Sequence, residues 1–200
     1  GAMGFPFAPT KNLLGTDYLE VGTDTREFEV MESPFDGERV ALLPAYEPDV
    51  GLVHAQRADT DGNVQVWGAG IEFGLHACDT VIATVEEVVD NDIITRDPDR
   101  TVVPNHRVQA VVQEPWGAHP ENVYGYYDID WMFKQGIADA FGTQDGVEQY
   151  LDEWVYGVDD RTEYLEQYIE RFGWAKLQSL VPHTSRSAPN YGSYTEGALL

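Results

Sequence analysis

The chain is poor in cysteine, in basic residues and in long apolar runs. A single cysteine in 200 residues, Cys78, excludes an internal disulfide, so stability has to come from packing. It lies in an apolar stretch where burial is the default for a free thiol. No run approaches the roughly 20 consecutive apolar residues that a membrane-spanning helix needs. The first residues also lack the basic and apolar zones of a signal peptide. Basic residues number 12 against 35 acidic ones, a formal charge of −23, and only Lys11, Lys134 and Lys176 are lysines. A surface of that sign repels nucleic acid and anionic membranes at ordinary salt, which removes both from the expected partners. Phosphate-loop, dinucleotide-fingerprint and nucleophile-elbow patterns are missing, and no spacing fits a zinc site. The expectation is a cytoplasmic protein with no metal and no bound cofactor.

What is present is enough apolar and aromatic material for a core: five Trp, eleven Tyr and eight Phe. The acids are scattered along the chain and do not form a tail, which points to a folded acidic surface. Such a surface suits concentrated salt, where screening relieves self-repulsion, so a halophilic protein is expected.

Hydrophobic patterning predicts an α/β fold. The segment up to Asp17 reads as an ordered loop, with short strands over 28–31, 39–44 and 50–58. Asp61-Gly62-Asn63 supplies a tight turn, and 64–67 returns as a strand. A helix follows over 68–78, then a β-branched buried strand over 79–85, an extended piece at 101–103 and a strand over 108–112. Beyond Pro115 the pattern changes to helices over 129–141, 143–154 and 159–172. Thr143 and Asp159 or Asp160 are placed as caps, and Gly173 as a helix stop. The expectation is one domain over 1–200, a mostly parallel sheet with flanking helices, followed over 129–200 by a helical appendage and an extended tail from Thr184.

Polar groups at strand ends are the candidate site, because ligands in open sheets sit outside the carboxyl ends of strands. His54, Gln56 and Arg57 end one strand; His54 and Gln56 share a face and Arg57 points the other way. A cation there can meet a phosphate or carboxylate. Asn63 lies in the following turn. Glu86 and Glu87 follow the buried strand and face opposite ways if it continues. Asn105 and His106 interrupt two extended segments beside a proline. His76, His119, His183 and Cys78 are expected to be structural.

Read in order, the motifs resemble the A (α) subunit of family I CoA-transferases, most closely the glutaconate CoA-transferase branch. They are Gly1 to Phe7 with Leu14-Gly15-Thr16-Asp17, His54 to Asp59 with Gly62-Asn63, and Val85-Glu86-Glu87-Val88-Val89. Thr101-Val102-Val103-Pro104, Tyr124-Gly125-Tyr126-Tyr127-Asp128 and Tyr156-Gly157-Val158 continue the match. The resemblance implies a CoA-transferase-like α/β fold and a heteromer with a B-type subunit. It also implies an acyl-CoA thioester and a carboxylic acid as substrates. His54, Gln56, Arg57, Asn63, Glu86, Glu87, Asn105 and His106 would bind substrate. The nucleophilic glutamate would belong to the B-type partner, in a Glu-Ser/Asn-Gly setting; Glu196-Gly197 is the nearest pair here. No catalytic residue is therefore expected in this chain, which looks like the C-terminal two thirds of such a subunit, missing a Gly-rich loop. The alternatives are part of a CoA-thioester hydrolase that opens a ring, and a non-catalytic structural partner.

Overall fold

The computed structural model describes residues 2–25, 27–68 and 72–182. They divide into two compact units. One comprises residues 1–51 and 71–81, the other residues 52–70 and 82–200. The tail expected from Thr184 and the Glu196-Gly197 pair lie outside the described residues.

In the first unit a three-stranded antiparallel sheet has the order β1 (Phe7–Thr10), β3 (Arg39–Pro44), β2 (Glu29–Glu32). The segment read as a loop thus contributes strand β1, and helix α1 follows it over Asp17–Asp24, a stretch for which no element was expected. Thr16 caps α1 by accepting from the Leu19 amide at 3.3 Å. Gly22 is required there, since a Cβ would stand 2.0 Å from the Phe28 ring. The helix expected over 68–78 is a 3-10 turn, Glu72–Ala77, after which Cys78 is buried. Gly51 makes room for it, because a Cβ at Gly51 would lie 2.8 Å from Cys78 Sγ.

The second sheet has the order β7 (Thr101–Val103), β5 (Val64–Gln65), β4 (Val50–Asp59), β6 (Thr80–Val89), β8 (Val108–Gln113). β4 and β6 run the same way: the Thr80 amide donates to Asp49 O at one end, and His54 meets Thr84 further along. β5 is antiparallel to both β4 and β7, so the sheet is mixed where a mostly parallel one was expected. The cause is local. Gly62 at φ 94° turns the chain straight back on itself, and the short connection of residues 60–63 can join only antiparallel strands. Helix α2 (Asn91–Thr95) then fills the connection between β6 and β7.

The C-terminal extension is helical as expected: α3 (Trp131–Ala140), α4 (Gln144–Trp154), α5 (Arg161–Phe172) and α6 (Trp174–Leu180). Thr143 caps α4 through the Gly146 amide at 3.1 Å, and Asp160 caps α5 through the Glu163 amide at 3.0 Å. Gly173 at φ 87° ends α5 but does not end the bundle, because α6 starts at once. Gly146 permits close approach of α3 and α4; a Cβ there would be 2.1 Å from the Ala140 carbonyl oxygen.

The aromatic residues form the core of this part: Tyr127, Phe133, Trp154, Tyr164 and Tyr168 with Val123, Leu177 and Leu180. At its centre Asp130 is fully buried. It accepts from the Phe133 amide at 3.1 Å, capping α3, from Tyr168 OH on α5, and from Lys176 Nζ on α6 at 3.0 Å. Burial alone would push this carboxyl up, but those three donors hold it below the ordinary carboxylate value. One side chain therefore fixes three helices. Among the described residues no helix is long and apolar enough to cross a membrane.

Candidate functional site

β4 and β6 lie side by side, so residues two apart on each share a face. On one face His54 stands between two β6 residues. Its Nε2 lies 2.7 Å from Glu86 Oε1 and its Nδ1 2.8 Å from Thr84 Oγ1. A carboxylate only accepts, so Nε2 carries a proton and donates to Glu86, while Nδ1 hydrogen-bonds the Thr84 hydroxyl. Glu86 is 5% exposed and receives two more donors, Tyr127 OH at 2.6 Å and the Trp116 amide at 2.9 Å. Tyr127 OH in turn accepts from the Ala118 amide at 3.1 Å. Burial, with the Glu86 carboxylate as neighbour, pushes the Tyr127 hydroxyl well up, so it stays a donor.

Two features shape this corner. Trp116 has φ 64°, a left-handed position that a bulky residue adopts at a cost, and its ring stacks on Tyr127 with centroids 4.3 Å apart. That conformation aims its amide at Glu86, while Arg161 donates to the Trp116 and His119 carbonyls. Gly117 follows because a Cβ there would come within 2.4 Å of His54 Cε1. Glu86 thus joins two strands to the 116–127 loop, and three protein donors occupy most of its lone pairs. It is a poor nucleophile for that reason.

The other face carries Arg57. Its Nε donates to Gln65 at 2.8 Å, and its guanidinium lies 5.3 Å from the Trp67 ring centroid; Arg100 packs on the same ring at 4.9 Å. The remaining N–H groups of Arg57 have no protein partner among the described residues. Burial lowers its pKa, with Arg100 adding to the effect and Tyr126, Asp97 and Glu87 opposing it. β6 continues to Val89, so Glu87 faces away from Glu86 and is exposed. Its carboxylate lies beside Tyr126, whose hydroxyl is pushed up by burial first and by Glu87 second. Arg57, Tyr126 and Glu87 therefore make a second polar group.

The third group is at the turn. Asp59 is fully buried and accepts from the Asp61 and Asn63 amides and from the side chains of Asn63 and Asn91, at 2.7–3.0 Å. Burial raises its pKa, but the hydrogen bonds from Asn63 and Asn91 outweigh it and leave the carboxyl low. Asn63 Oδ1 accepts the Asn105 amide at 3.3 Å, which sets the exposed 3-10 turn Asn105–Arg107 against the β4–β5 turn. A cleft of about 320 Å³ lies beside it, lined by residues 59–62, Val88 and residues 108–111.

The eight sequence candidates thus fall into His54 with Glu86, Arg57 with Glu87, and Asn63 with Asn105 and the adjacent His106. Gln56 joins none of these groups. It is buried, and its amide bonds the Trp67 carbonyl at 2.8 Å and amide at 3.3 Å, holding the chain after β5. Thr84, Trp116 and Tyr127 were not anticipated. Thr84 was legible, being two residues before Glu86 on a strand; the other two come from a loop whose path no periodicity reveals. Among the described residues no cluster of three or more His, Cys, Asp or Glu is placed to hold a metal ion.

Residues 1–114 match the coenzyme A transferase family. The glutaconate CoA-transferase A-subunit from Acidaminococcus fermentans is 34% identical over 181 residues, which cover 83% of this chain and 57% of that protein. The 3-oxoadipate CoA-transferase A-subunit from Pseudomonas knackmussii is 33% identical over 172 residues, covering 85% and 59%. The crystal structure of glutaconate coenzyme A-transferase from Acidaminococcus fermentans superposes with a TM-score of 0.78 at 32% identity, covering 90% of this chain and 61% of that one. A more distant relative is the cholesterol ring-cleaving hydrolase IpdA subunit of Mycobacterium tuberculosis, 26% identical over 168 residues, 79% of this chain and 57% of that protein.

The chain belongs to the coenzyme A transferase family. Within it, the chain falls in the A-subunit group, in the glutaconate CoA-transferase branch, as its motifs implied. It spans less than two thirds of the length of each of these relatives.

Proposed function

We propose that this chain is the A-type part of a two-subunit CoA-transferase that moves CoA between an acyl-CoA thioester and a carboxylic acid. The attacking glutamate comes from a B-type partner. Its carboxylate adds to the thioester carbonyl, the C–S bond breaks, and thiolate leaves an acyl-glutamyl anhydride. The thiolate then adds to the glutamyl carbonyl and expels the first carboxylate, giving glutamyl-CoA. The incoming carboxylate reacts with that thioester by the reverse sequence. Each tetrahedral intermediate carries an oxyanion that positioned donors stabilise. The chain supplies a wall of this pocket and a cation, Arg57, to hold the phosphate or carboxylate of a substrate.

One observation carries the reading: Glu86, a buried acid, takes three protein donors and serves to hold His54, Tyr127 and Trp116 in place. Glu86 is therefore not the attacking carboxylate, which in this proposal comes from the partner. The test is exchange of isotopically labelled free acid into acyl-CoA by this chain alone and after assembly with a B-type partner. Exchange only in the assembled enzyme is expected, with KM for acyl-CoA raised in Arg57→Gln. Exchange by the chain alone overturns the proposal. The similarity to the hydrolase supports a second reading, a CoA-thioester hydrolase that opens a carbon ring. Net thioester hydrolysis without exchange would select it, and neither activity would select a structural role.

A further inference from the structure

Helices α3, α4 and α5, with Lys176 of α6, line a groove-like open cavity of about 660 Å³, within the range of small-molecule sites. Its walls are apolar: Phe133, Ile137, Ala140, Tyr150, Trp154 and Phe172. Its polar lining is Gln149, the hydroxyls of Tyr150 and Tyr168, and two ion pairs, of which the second is solvent-exposed. Lys176 Nζ lies 3.0 Å from Asp130 Oδ1, and Arg171 Nη1 pairs with Glu153 Oε1. Their formal charges cancel, so neither an anion nor a cation gains a net opposite charge by entering.

Donors and acceptors do not balance in the same way. Asp130 is fully buried and takes Phe133 N and Lys176 Nζ on one oxygen and Tyr168 OH on the other, with His119 Nε2 3.6 Å away. Little acceptor capacity remains at the floor. Lys176 gives one of its three N–H groups to Asp130, so two remain. Arg171 gives one group to Glu153 while its plane packs near Trp154 and Phe172, 5.7 and 5.5 Å from the ring centroids. At its Asp130 floor the cavity therefore offers a hydrocarbon lining and the spare N–H donors of Lys176.

We propose that this cavity is a binding site for a neutral molecule with an aromatic or branched hydrocarbon body and one hydrogen-bond-accepting carbonyl, received by Lys176. The body lies between Phe133, Trp154 and Phe172, and the carbonyl accepts an N–H of Lys176 without disturbing the Asp130 pair. This assignment does not depend on the transferase reading.

Four probes with one body test it by calorimetric titration of the full chain: 4-phenylbutan-2-one, butylbenzene, 3-phenylpropanoate and 3-phenylpropylammonium. The ketone is expected to bind saturably and roughly tenfold or more tighter than the hydrocarbon, the difference a bond from a charged donor makes. The two ions are expected to bind more weakly than the ketone. Lys176→Met should bring the ketone to the affinity of the hydrocarbon. Gly136→Leu fills the cavity from a position where a Cβ meets nothing within 4 Å, so the fold survives and binding of both should vanish. Binding unchanged in folded Gly136→Leu, tightest binding by either ion, or no saturable binding overturns the proposal. So does binding by the free chain that disappears when a partner protein is added, which would make the groove a protein interface.

Discussion

Replacement of Glu86 by Gln keeps the shape of the side chain and removes its charge. The carboxylate receives His54 Nε2 and Tyr127 OH on Oε1 and the Trp116 amide on Oε2. A glutamine that leaves its carbonyl toward His54 and Tyr127 turns an NH2 group on the Trp116 amide, donor against donor. The flipped amide repairs that contact and spoils the other two. One buried N–H left without a partner costs about 1–3 kcal/mol. The bonds that survive lose the ionic contribution that makes charge-assisted bonds roughly twice as strong as neutral ones. A loss of about 3 kcal/mol follows, large against the roughly 5–15 kcal/mol that stabilises a domain. Urea unfolding at fixed potassium chloride measures it, alone and with Tyr127→Phe in a double-mutant cycle. The two changes share one bond, so the cycle should give a coupling of about 1–2 kcal/mol. Glu86→Gln within about 0.5 kcal/mol of the parent and additive with Tyr127→Phe would refute the network.

Burial and the nearby Arg161 charge lower the His119 pKa from 6.5 to about 4. As pH falls below 6.5 the unfolded chain takes up a proton that the folded one refuses, so this contribution is full above 6.5 and lost toward 4. About 1–2 kcal/mol should disappear between pH 8 and pH 5, read as a fall in urea midpoint that is smaller in His119→Gln. Gly117→Ala should cost about 1–3 kcal/mol, since the new methyl displaces His54; calorimetry checks it, and an unchanged midpoint would mean the loop yields freely. The charge of −23 predicts a melting temperature that rises with salt as the screening length shortens from ~10 Å at 0.1 M to ~3 Å at 1 M. A melting temperature that is flat or falls across a potassium chloride series would remove the halophilic reading.

Elements with strong local signals were legible. The β-branched strand before Glu86, the Asp61-Gly62 turn and the capped helices α4 and α5 all form where patterning puts them. Elements held by tertiary contacts were not. α1 is short, with Gly22 in its interior, and leans on Phe28; α6 follows a glycine that locally reads as a stop. The alternation rule placed His54 and Arg57 on opposite faces and separated Glu86 from Glu87. It could not show that the chain after Pro115 folds back to put Trp116 and Tyr127 on Glu86. The roles of His119, read as structural, and of Asp130, read as part of a helix, were hidden because their partners, Tyr164, Tyr168 and Lys176, lie more than thirty residues away.

The Asp59 hub has a consequence for how the sequence can vary. Asn63 uses both ends of its amide, one for Asp59 Oδ2 and one for the Asn105 backbone, and Asn91 donates to the same Asp59 oxygen. Any single change strands a buried donor or acceptor, whereas Asp59, Asn63 and Asn91 exchanged together can restore the pairing. Substitution among natural variants should therefore be correlated at these three positions while the exposed Thr60 and Asp61 between them drift freely.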